Sequence, residues 1–441
     1  MFKKIDSWVL YLFIIIFFII IILYGSLLRH QILGGEKFSK ISRIALFISE
    51  IPSNTKKIIF PKYDLVSKKH KNKKKITSNN PMDNDLLLLL SRYSPKKNKF
   101  VVEIIDIKKF KVLHQYEIVN RNEINKYIND KKEFKDFNNR PFNKYIMKSP
   151  LILEDGSIIF QLEYGPLVRK NFCGDIMWIN YEDLYHHYIS KYKDDYIFVP
   201  SSKYPYSDTV KKYRKNFGFK DDSITKLNLD GKIIFQKSLI EILKDNSLFS
   251  ESLFKNDDPI HLNKIEPVLE DTKYFEKDDL FLSSPTLSAI IHYRPSTNKV
   301  VNYLVGEFSL QHDVDVVSDK EISIFNNNQY GKDTKYSEIL IYNFETKKFT
   351  KKLKDQLEKN NFKTKLQGLH QILSNGSIFL EETIHGRILF FNNEDKLYFE
   401  YVNKYKNNSY MLGWSSIIDD KKLIKKILNL IDSKKCKKFD K

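Results

Sequence analysis

The chain has 441 residues, enough apolar and aromatic side chains for a large core, and a formal net charge of +19. Only nine of its 74 basic residues are arginine, and the rest are lysine. Lysine lacks the planar guanidinium group with which arginine binds bases and phosphates, so we expect no nucleic-acid partner. Cys173 and Cys436 are too far apart in sequence and too few to predict a disulfide framework or a zinc site.

Segment Trp8–Leu28 is an uncharged run of mainly Ile, Leu and Phe, long enough for a helix to cross a hydrocarbon core of roughly 30 Å. Residues 1–28 are therefore predicted to be a cytoplasmic N-terminal end and a single transmembrane anchor. A cleaved signal peptide is the weaker alternative, because the run is long and ends without an Ala-x-Ala-like site. Lysines before the run favour a cytoplasmic N-terminus, whereas basic residues after it oppose that orientation.

Residues 29–84 are predicted to form a juxtamembrane helix and a basic linker. The apolar residues of Glu36–Ile48 fall near one helical face, which indicates a short amphipathic helix. The lysine-rich segment Lys68–Lys75 is strongly polar, which favours an exposed linker, although a basic run near an anchor could also contact anionic lipid.

Residues 85–420 are predicted to be an all-β, six-bladed β-propeller, with the transmembrane helix and short helices flanking it. Short runs of Ile, Val, Phe and Tyr alternate with turn residues, and Asp-Gly or Asn-Gly turns join the hairpins Leu151–Phe160 and Gln371–Leu380. A second strand–turn–strand unit recurs at the spacing expected of propeller blades. It is found at Val101–Tyr116, Thr225–Lys237, Ile290–Leu304, Ile339–Lys352 and Ile388–Tyr401.

The last segment, residues 421–441, carries an apolar stripe between lysines, with Leu423, Ile427 and Leu430 on it. This spacing predicts a basic amphipathic helix packed on the propeller or on the membrane. A frayed basic tail is the alternative.

Four histidines precede strands of these repeats: His187, His261, His312 and His370, spaced 74, 51 and 58 residues apart. Equivalent positions of propeller blades converge around one channel, so histidines at such positions would form a cluster. Imidazoles near neutral pH supply nucleophiles, general acids or bases, and hydrogen-bond donors. We find no HExxH pair, Walker loop, GxGxxG or GxSxG motif, and we predict no metal and no cofactor.

Several motifs occur in order from about Leu151 to Asn403. They are Trp178 with His186-His187, His261-Leu262-Asn263, Leu282-Ser283-Ser284, Gln311-His312-Asp313, Phe325-Asn326-Asn327, and Glu381-Glu382 with Gly386-Arg387-Ile388. Together they resemble the bacterial arylsulfate sulfotransferases and the wider arylsulfotransferase-like propeller family. The resemblance implies transfer of a sulfuryl group from an aryl sulfate to a phenol, without a nucleotide donor, through a sulfohistidine in the channel.

Residue by residue, the resemblance implies that His312 is the nucleophile. It implies that His187 and His261 bind the sulfuryl oxygens and handle the phenolic proton. It also implies export, with the propeller in the periplasm on an inner-membrane anchor.

We expect contacts with the small anionic or phenolic substrate from Asn263, Arg294 and His370. The family usually has an arginine directly after its Ser-Ser pair, where this chain has Pro285. Arg294 or a lysine is expected to replace that charge, since a cation stabilises a transferring anion. The departure at Pro285 leaves open a non-catalytic binding or assembly propeller of the cell envelope, and a metal- or quinone-dependent oxidoreductase is a third hypothesis.

Overall fold

The structure is a computed structural model that describes residues 6–32, 41, 44–45, 48–49, 65–78, 86–128, 131–214, 218–330, 335–433 and 436. The chain divides into two compact units, Met1–Asp64 and Leu65–Lys441. The β-rich unit therefore begins at Leu65 and not at residue 85, where the composition changes.

The first unit contains helix α1, Ser7–Ile32. Its apolar side chains are exposed, and Ser7–Arg29 is long and apolar enough to cross a membrane. A continuous helix suits such a segment because all its backbone groups bond within the segment. The amphipathic helix predicted over Glu36–Ile48 lies largely outside the described residues.

The second unit is mostly β. Its strands in chain order are β1 (Val66–Ser67), β2 (Ile76–Ser78), β3 (Leu87–Ser94), β4 (Lys99–Asp106), β5 (Lys111–Glu117), β6 (Lys148–Ile152), β7 (Ile158–Gln161), β8 (Gly165–Lys170), β9 (Ile176–Tyr185), β10 (Ser190–Tyr192), β11 (Tyr196–Ser202), β12 (Asp222–Asn228), β13 (Ile233–Ser238), β14 (Lys264–Pro267), β15 (Leu280–Ser284), β16 (Ala289–Arg294), β17 (Lys299–Leu304), β18 (Asp313–Val316), β19 (Glu321–Asn326), β20 (Glu338–Asn343), β21 (Lys348–Lys352), β22 (Leu369–Ile372), β23 (Ile378–Glu382), β24 (Arg387–Phe391), β25 (Leu397–Val402), β26 (Lys404–Tyr405), β27 (Asn408–Tyr410) and β28 (Ser416–Ile418).

Short helices join the strands or follow them. They are α2 (Arg121–Ile128), α3 (Lys135–Asn138), α4 (Asp208–Tyr213), α5 (Leu239–Asp245), α6 (Lys354–Lys359) and α7 (Lys421–Asp432), with 3-10 helices at Lys132–Phe134, Phe142–Lys144 and Glu251–Lys255.

Strands that follow one another in sequence pair antiparallel. Three sheets are four-stranded, β28-β3-β4-β5, β14-β15-β16-β17 and β18-β19-β20-β21. Strands β22 to β25 form a fourth, to which β2 adds an outer strand, and β6 to β13 form one continuous sheet because β9 pairs with β11. Each predicted strand–turn–strand segment is observed as a hairpin, from β4–β5 to β24–β25.

The chain closes on itself at both ends of the second unit. Near the C-terminus, β28 pairs with β3, with Ser416 opposite Leu89. Near the N-terminus, β2 pairs with β25, with Ile76 opposite Tyr401. Successive four-stranded antiparallel sheets closed in this way give a propeller-like fold, in which few strand edges remain open.

The lysine-rich segment before β2 is exposed at most of its positions, but it is part of this unit and is bound to its last sheet. Lys69 lies 2.7 Å from Glu382, and Lys73 lies 2.6 Å from Glu400. His70 is buried and lies 2.6 Å from the other oxygen of Glu382. Both carboxylates are buried and also pair with Arg387, so the positive charges of the segment add to an existing ionic network, which holds the segment on the sheet.

Burial follows position within each sheet. Every residue of the middle strands β15, β23 and β24 is buried, which explains why each contains at least three consecutive apolar residues. The outer strand β17 instead alternates exposed and half-buried residues, as expected of a strand with one face toward water. The core therefore lies between the faces of neighbouring sheets.

The predicted C-terminal helix is observed as α7, which packs on the β-rich unit. Asp420 caps it by accepting hydrogen bonds from the backbone N–H groups of Lys422 and Leu423, and Ile424 and Ile427 are buried. A Cβ added at Gly156, whose φ is +76°, would come within 2.7 Å of the Leu430 side chain. The turn before β7 therefore has room for α7 because it carries glycine.

Cys173 and Cys436, which were too few and too far apart in sequence to predict a disulfide framework, form a single disulfide bond. The bond joins the turn between β8 and β9 to the chain beyond α7. Two cysteines 263 residues apart can meet because α7 packs on the turn at Gly156, which also lies against Phe172, the residue before Cys173.

Candidate active site

Strands β10, β14, β18, β22 and β28 each pair with one neighbouring strand and are called the innermost strands. They are preceded by residues with left-handed backbone conformations. Such conformations are uncommon for residues other than glycine and often occur at functional sites. The residues two or three positions before β10, β14, β18, β22 and β28 are His187 (φ +62°), His261 (φ +53°), Leu310 (φ +51°), Gln367 (φ +61°) and Trp414 (φ +67°).

Two of the four predicted histidines occupy equivalent positions. His187 and His261 each lie three residues before an innermost strand, whereas Leu310 holds that position before β18. His312 directly precedes β18, and His370 lies within β22. The four are therefore not at one repeated position, but three of them still meet.

The imidazole rings of His187, His261 and His312 form one cluster. The ring centre of His187 lies 4.9 Å from that of His261 and 6.5 Å from that of His312. His187 and His312 are buried, while the side chain of His261 is 29% exposed. A small molecule would therefore reach the cluster from the side of His261.

The tautomer of His312 is fixed by its neighbours. Its Nδ1 lies 2.7 Å from Asn327 Oδ1 and 3.0 Å from Leu310 O, which are both acceptors, so Nδ1 carries the proton. Its Nε2 accepts a hydrogen bond of 3.0 Å from the backbone N–H of Gln367. Burial, aided by nearby His261, lowers the pKa of His312 to about 3, so the ring is neutral at physiological pH with a lone pair on Nε2.

His261 is held by a carboxylate. Its Nδ1 lies 2.7 Å from Asp258 Oδ2, and Lys220 Nζ lies 2.9 Å from the same oxygen. Burial would raise the pKa of Asp258, but the hydrogen bond with His261 and the charge of Lys220 lower it. Asp258 is therefore a carboxylate that orients Nδ1–H of His261 and leaves Nε2 toward the cluster.

Residues 149–404 match the family model of arylsulfotransferase (ASST), more than half of the chain. The chain belongs to the arylsulfotransferase family. The matched range contains the three clustered histidines, and the resemblance of the motifs is thereby confirmed at the level of the family.

Solved structures of low identity are also similar to this chain. A protein of unknown function from Bacteroides caccae is 11% identical over 76% of this chain and 100% of its own, with a TM-score of 0.49. A catalytically inactive virginiamycin B lyase from Staphylococcus aureus is 12% identical over 76% of this chain and 90% of its own, with a TM-score of 0.40. A streptogramin B lyase is 11% identical over 78% of this chain and 97% of its own, with a TM-score of 0.40. No curated protein matches the chain.

A buried lysine that no sequence motif indicated lies next to the histidines. Lys148 is fully buried, lies 2.7 Å from Glu163, and has its Nζ 4.4 Å from the ring centre of Trp414. The Trp414 ring centre lies 5.6 Å from that of His187. After burial, the charge of Lys148 is the largest contribution that lowers the pKa of His187.

The backbone of Trp414, whose ring lies beside Lys148, is held by a residue of a family motif. Glu381 accepts hydrogen bonds from the backbone N–H groups of Trp414, at 3.0 Å, and Ser415, at 2.8 Å. Burial raises the pKa of Glu381 to about 6 despite these bonds. The motif around Glu381 was visible in sequence, but its partners in the last loop were not.

The structure separates the predicted substrate-binding residues. Asn263 is buried, donates from Nδ2 to Gln311 O at 3.4 Å, and its Oδ1 has no hydrogen-bond partner among the described residues. Arg294 instead pairs with Asp279 at 2.8 Å and with Glu276 at 2.6 Å. Arg294 is the last residue of β16, and Ala289 is the first. Gln311, which precedes His312, donates from Nε2 to Ala289 O. The Ala289 end of β16 therefore faces the histidines, and the Arg294 end does not.

His370 belongs to a neighbouring ionic cluster. Its Nδ1 lies 3.1 Å from Asp313 Oδ2, and its Nε2 lies 2.7 Å from Ser323 Oγ. Ligand atoms of Asp313, Asp315 and His370 lie within 4.8 Å of one another and could hold a metal ion. Lys264 Nζ, however, lies 2.9 Å from Asp313 and also pairs with Asp315, so a lysine already supplies the positive charge there.

A cavity of about 560 Å³ lies on the side of this ionic cluster, lined by Tyr188, Lys264, Glu266 and Asp315 among others. Burial raises the pKa of Glu266 to about 8, although Lys264 opposes the shift. The ionic cluster and the cavity lie farther along the innermost strands than the histidines do. His261 and His312 precede β14 and β18, whereas Lys264 and Asp315 lie within these strands.

Proposed function

We propose that this arylsulfotransferase transfers a sulfuryl group from an aryl sulfate to a phenol through a covalent intermediate on His312. The observation that carries the proposal is the meeting of three imidazoles of which one, His312, is neutral and has its proton fixed on Nδ1. A neutral imidazole nitrogen is a nucleophile, and a protonated imidazole is a good leaving group, as a two-step transfer requires.

In the first step, the lone pair of His312 Nε2 forms a bond to sulfur, and the bond from sulfur to the aryl oxygen breaks. The aryl oxide leaves as the anion and takes a proton from water. The ring of His312 keeps its Nδ1 proton and becomes positively charged, and the Asn327 and Leu310 oxygens stabilise that charge. The hydrogen bond from Gln367 N–H to Nε2 must open before attack.

In the second step, the oxygen of a phenol forms a bond to sulfur, and the bond from sulfur to Nε2 breaks. The electron pair returns to Nε2, and the phenolic proton passes to a neutral histidine of the cluster. His187 and His261 are the residues that we assign to this proton and to the sulfuryl oxygens.

We assign the positive charge of the site to Lys148. With His312 neutral and Asp258 negative, a sulfate ester needs a cation nearby, since preorganised charge is the largest aid to such a transition state. Lys148 influences both His187 and His312 electrostatically, whereas Arg294 is bound elsewhere.

We infer six blades, counting β6–β9 and β10–β13 as two. We also propose that α1 anchors the chain in the inner membrane and that the propeller faces the periplasm. The Cys173–Cys436 disulfide supports this side, because disulfides persist in oxidising compartments. Protease added to intact spheroplasts should digest the propeller, and its survival until the membrane is opened would place it in the cytoplasm.

The second candidate function is a binding propeller of the cell envelope without chemistry. Two observations favour it, the Gln367 N–H that occupies His312 Nε2 and the Pro285 that replaces the family arginine. In that case the histidine cluster would bind an anion or a phenol and release it unchanged.

A donor-labelling experiment separates the two candidates. Nitrophenyl sulfate in excess over the full-length chain should give a burst of nitrophenol, equal in amount to the protein, and a sulfuryl mass on the His312 peptide. His312→Ala should lose both, with turnover reduced by several orders of magnitude, as on loss of a nucleophile. The matched control His114→Ala removes a histidine from outer strand β5 and should keep both signals. Binding of the ester without burst or label would favour the binding propeller.

A further inference from the structure

Two adjacent buried histidines are hydrogen-bonded to each other. Nδ1 of His186 lies 2.8 Å from Nδ1 of His187, and both residues are at most 3% exposed. A hydrogen bond between two ring nitrogens needs one donor and one acceptor, so one of the two Nδ1 atoms carries a proton and the other does not. The proton on one ring thus sets the tautomer of the next.

The far side of His186 faces a buried carboxylate. Its Nε2 lies 3.4 Å from Asp222 Oδ1, an electrostatic contact longer than a good hydrogen bond. Asp222 already accepts from the backbone N–H of Leu262 at 2.7 Å and from Ser202 Oγ at 3.2 Å. It therefore faces His186 as an acceptor, and the proton of a neutral His186 belongs on Nε2.

From this we infer that His186 and Asp222 are positioning residues that keep Nε2 of His187 unprotonated, ready to take the proton of the acceptor phenol. With its proton on Nε2, His186 has a free lone pair on Nδ1. His187 must then donate from its own Nδ1, which leaves its Nε2 as the base. The inference rests on the proposed function and assigns the proton of its second step.

The phenolic proton is accounted for in the second step. When the phenol oxygen attacks sulfur, its proton passes to His187 Nε2, and the N–S bond electrons return to His312. The positive charge on His187 is then opposed by Asp222 through His186. His187 Nε2 then releases that proton to solvent, which restores the unprotonated Nε2 of the resting protein.

The surroundings of His186 hold the ring in place. Tyr164 stacks on it with ring centres 4.7 Å apart, and Lys220 Nζ lies 3.6 Å from the ring centre of Tyr164. On the other side, His187 faces His261, His312 and the charge of Lys148. A phenylalanine at position 186 would keep the stack and lose both nitrogens.

The test uses full-length wild type, His186→Phe and Asp222→Asn in detergent, labelled with nitrophenyl sulfate and then mixed with phenols of increasing pKa. We expect the burst of nitrophenol to remain in all three proteins. Transfer to weakly acidic phenols should fall by ~100-fold in His186→Phe, since a positioned base contributes about that much or more. Transfer to acidic nitrophenols, which need no base, should fall less than about threefold. The control His114→Phe should behave as wild type.

An equal loss with every acceptor would mean that His186 is structural, and the inference would be overturned while the proposed function stands. Absence of a burst in wild type would overturn the proposed function. An independent measurement, imidazole 15N chemical shifts of the wild type, reads the tautomer without turnover. We expect a protonated Nδ1 and an unprotonated Nε2 on His187, and the opposite pattern would overturn the inference by itself.

Discussion

The ammonium group of Lys148 lies 4.4 Å from the ring centre of Trp414, and Glu163 lies 2.7 Å from the same ammonium group. One cation is thus buried between an aromatic face and a carboxylate, next to His187. Burial lowers the pKa of Lys148, which the charge of Glu163 opposes. This charge at the histidine cluster leads to the first prediction.

Removing the charge of Lys148 should impair use of the aryl sulfate. Lys148→Met alone would leave Glu163 buried and unpaired, at a cost of ~3–5 kcal/mol, so the double variant Lys148→Met, Glu163→Gln is the better test. We expect kcat/KM for nitrophenyl sulfate to fall at least about 100-fold, as on loss of one electrostatic stabiliser. The control Arg294→Gln removes a cation that lies away from the cluster, and its kcat/KM per folded molecule should remain near wild type. Equal losses in both variants would contradict the assignment of the charge to Lys148.

The buried His312 should make the protein less stable in acid. Its folded pKa of about 3 lies below the usual 6.5, so between these values the unfolded state binds more protons. The stabilisation is complete above about pH 6.5 and is lost as the pH falls toward about 3, at up to ~1.4 kcal/mol per pH unit. The free energy of unfolding of wild type and of His312→Gln should be measured in urea between about pH 6 and 4, and it should fall less steeply with decreasing pH in the variant. The same pH dependence in both proteins would mean that His312 is not neutral in the folded protein.

Reducing the Cys173–Cys436 bond should destabilise the propeller. The bond closes a loop of 263 residues, and the loss of such a constraint on the unfolded chain costs ~4 kcal/mol. Thermal unfolding in dithiothreitol should therefore occur at a lower temperature than in its absence. The variant Cys173→Ser, Cys436→Ser should melt at the lower temperature in both conditions. A wild type that melts at the same temperature with the bond reduced would contradict the prediction.

Helix α7 should contribute to folding through its buried face. Ile427 is fully buried, so Ile427→Ala should lower the free energy of unfolding by ~2–5 kcal/mol. Lys425→Ala changes an exposed residue of the same helix and should have little effect. Both variants should be compared by denaturant unfolding. Equal stability of the two would show that the helix end is frayed in solution.

Local sequence patterns determined much of the secondary structure of this protein. The apolar run of α1, the hairpins from β4–β5 to β24–β25, and the stripe of α7 were all predictable, because each depends on residues adjacent in sequence. Turn dipeptides and alternating burial act over a few residues, and a hairpin pairs strands that follow each other directly. The family, and with it the importance of His187, His261 and His312, was likewise visible in ordered motifs.

The tertiary structure decided which distant residues meet. Nothing in the sequence near Lys148 indicates Trp414, and nothing near Cys173 indicates Cys436, since both pairs form when β28 and α7 close the unit. The basic segment before β2 is mostly solvated, as its composition indicates, but Lys69 and Lys73 also pair with buried Glu382 and Glu400. Arg294 was expected at the substrate because of its charge alone, and the register of β16 places it with Asp279 instead. Charge and residue type are local properties, whereas a site depends on which strand ends converge, and closure of the fold sets that convergence.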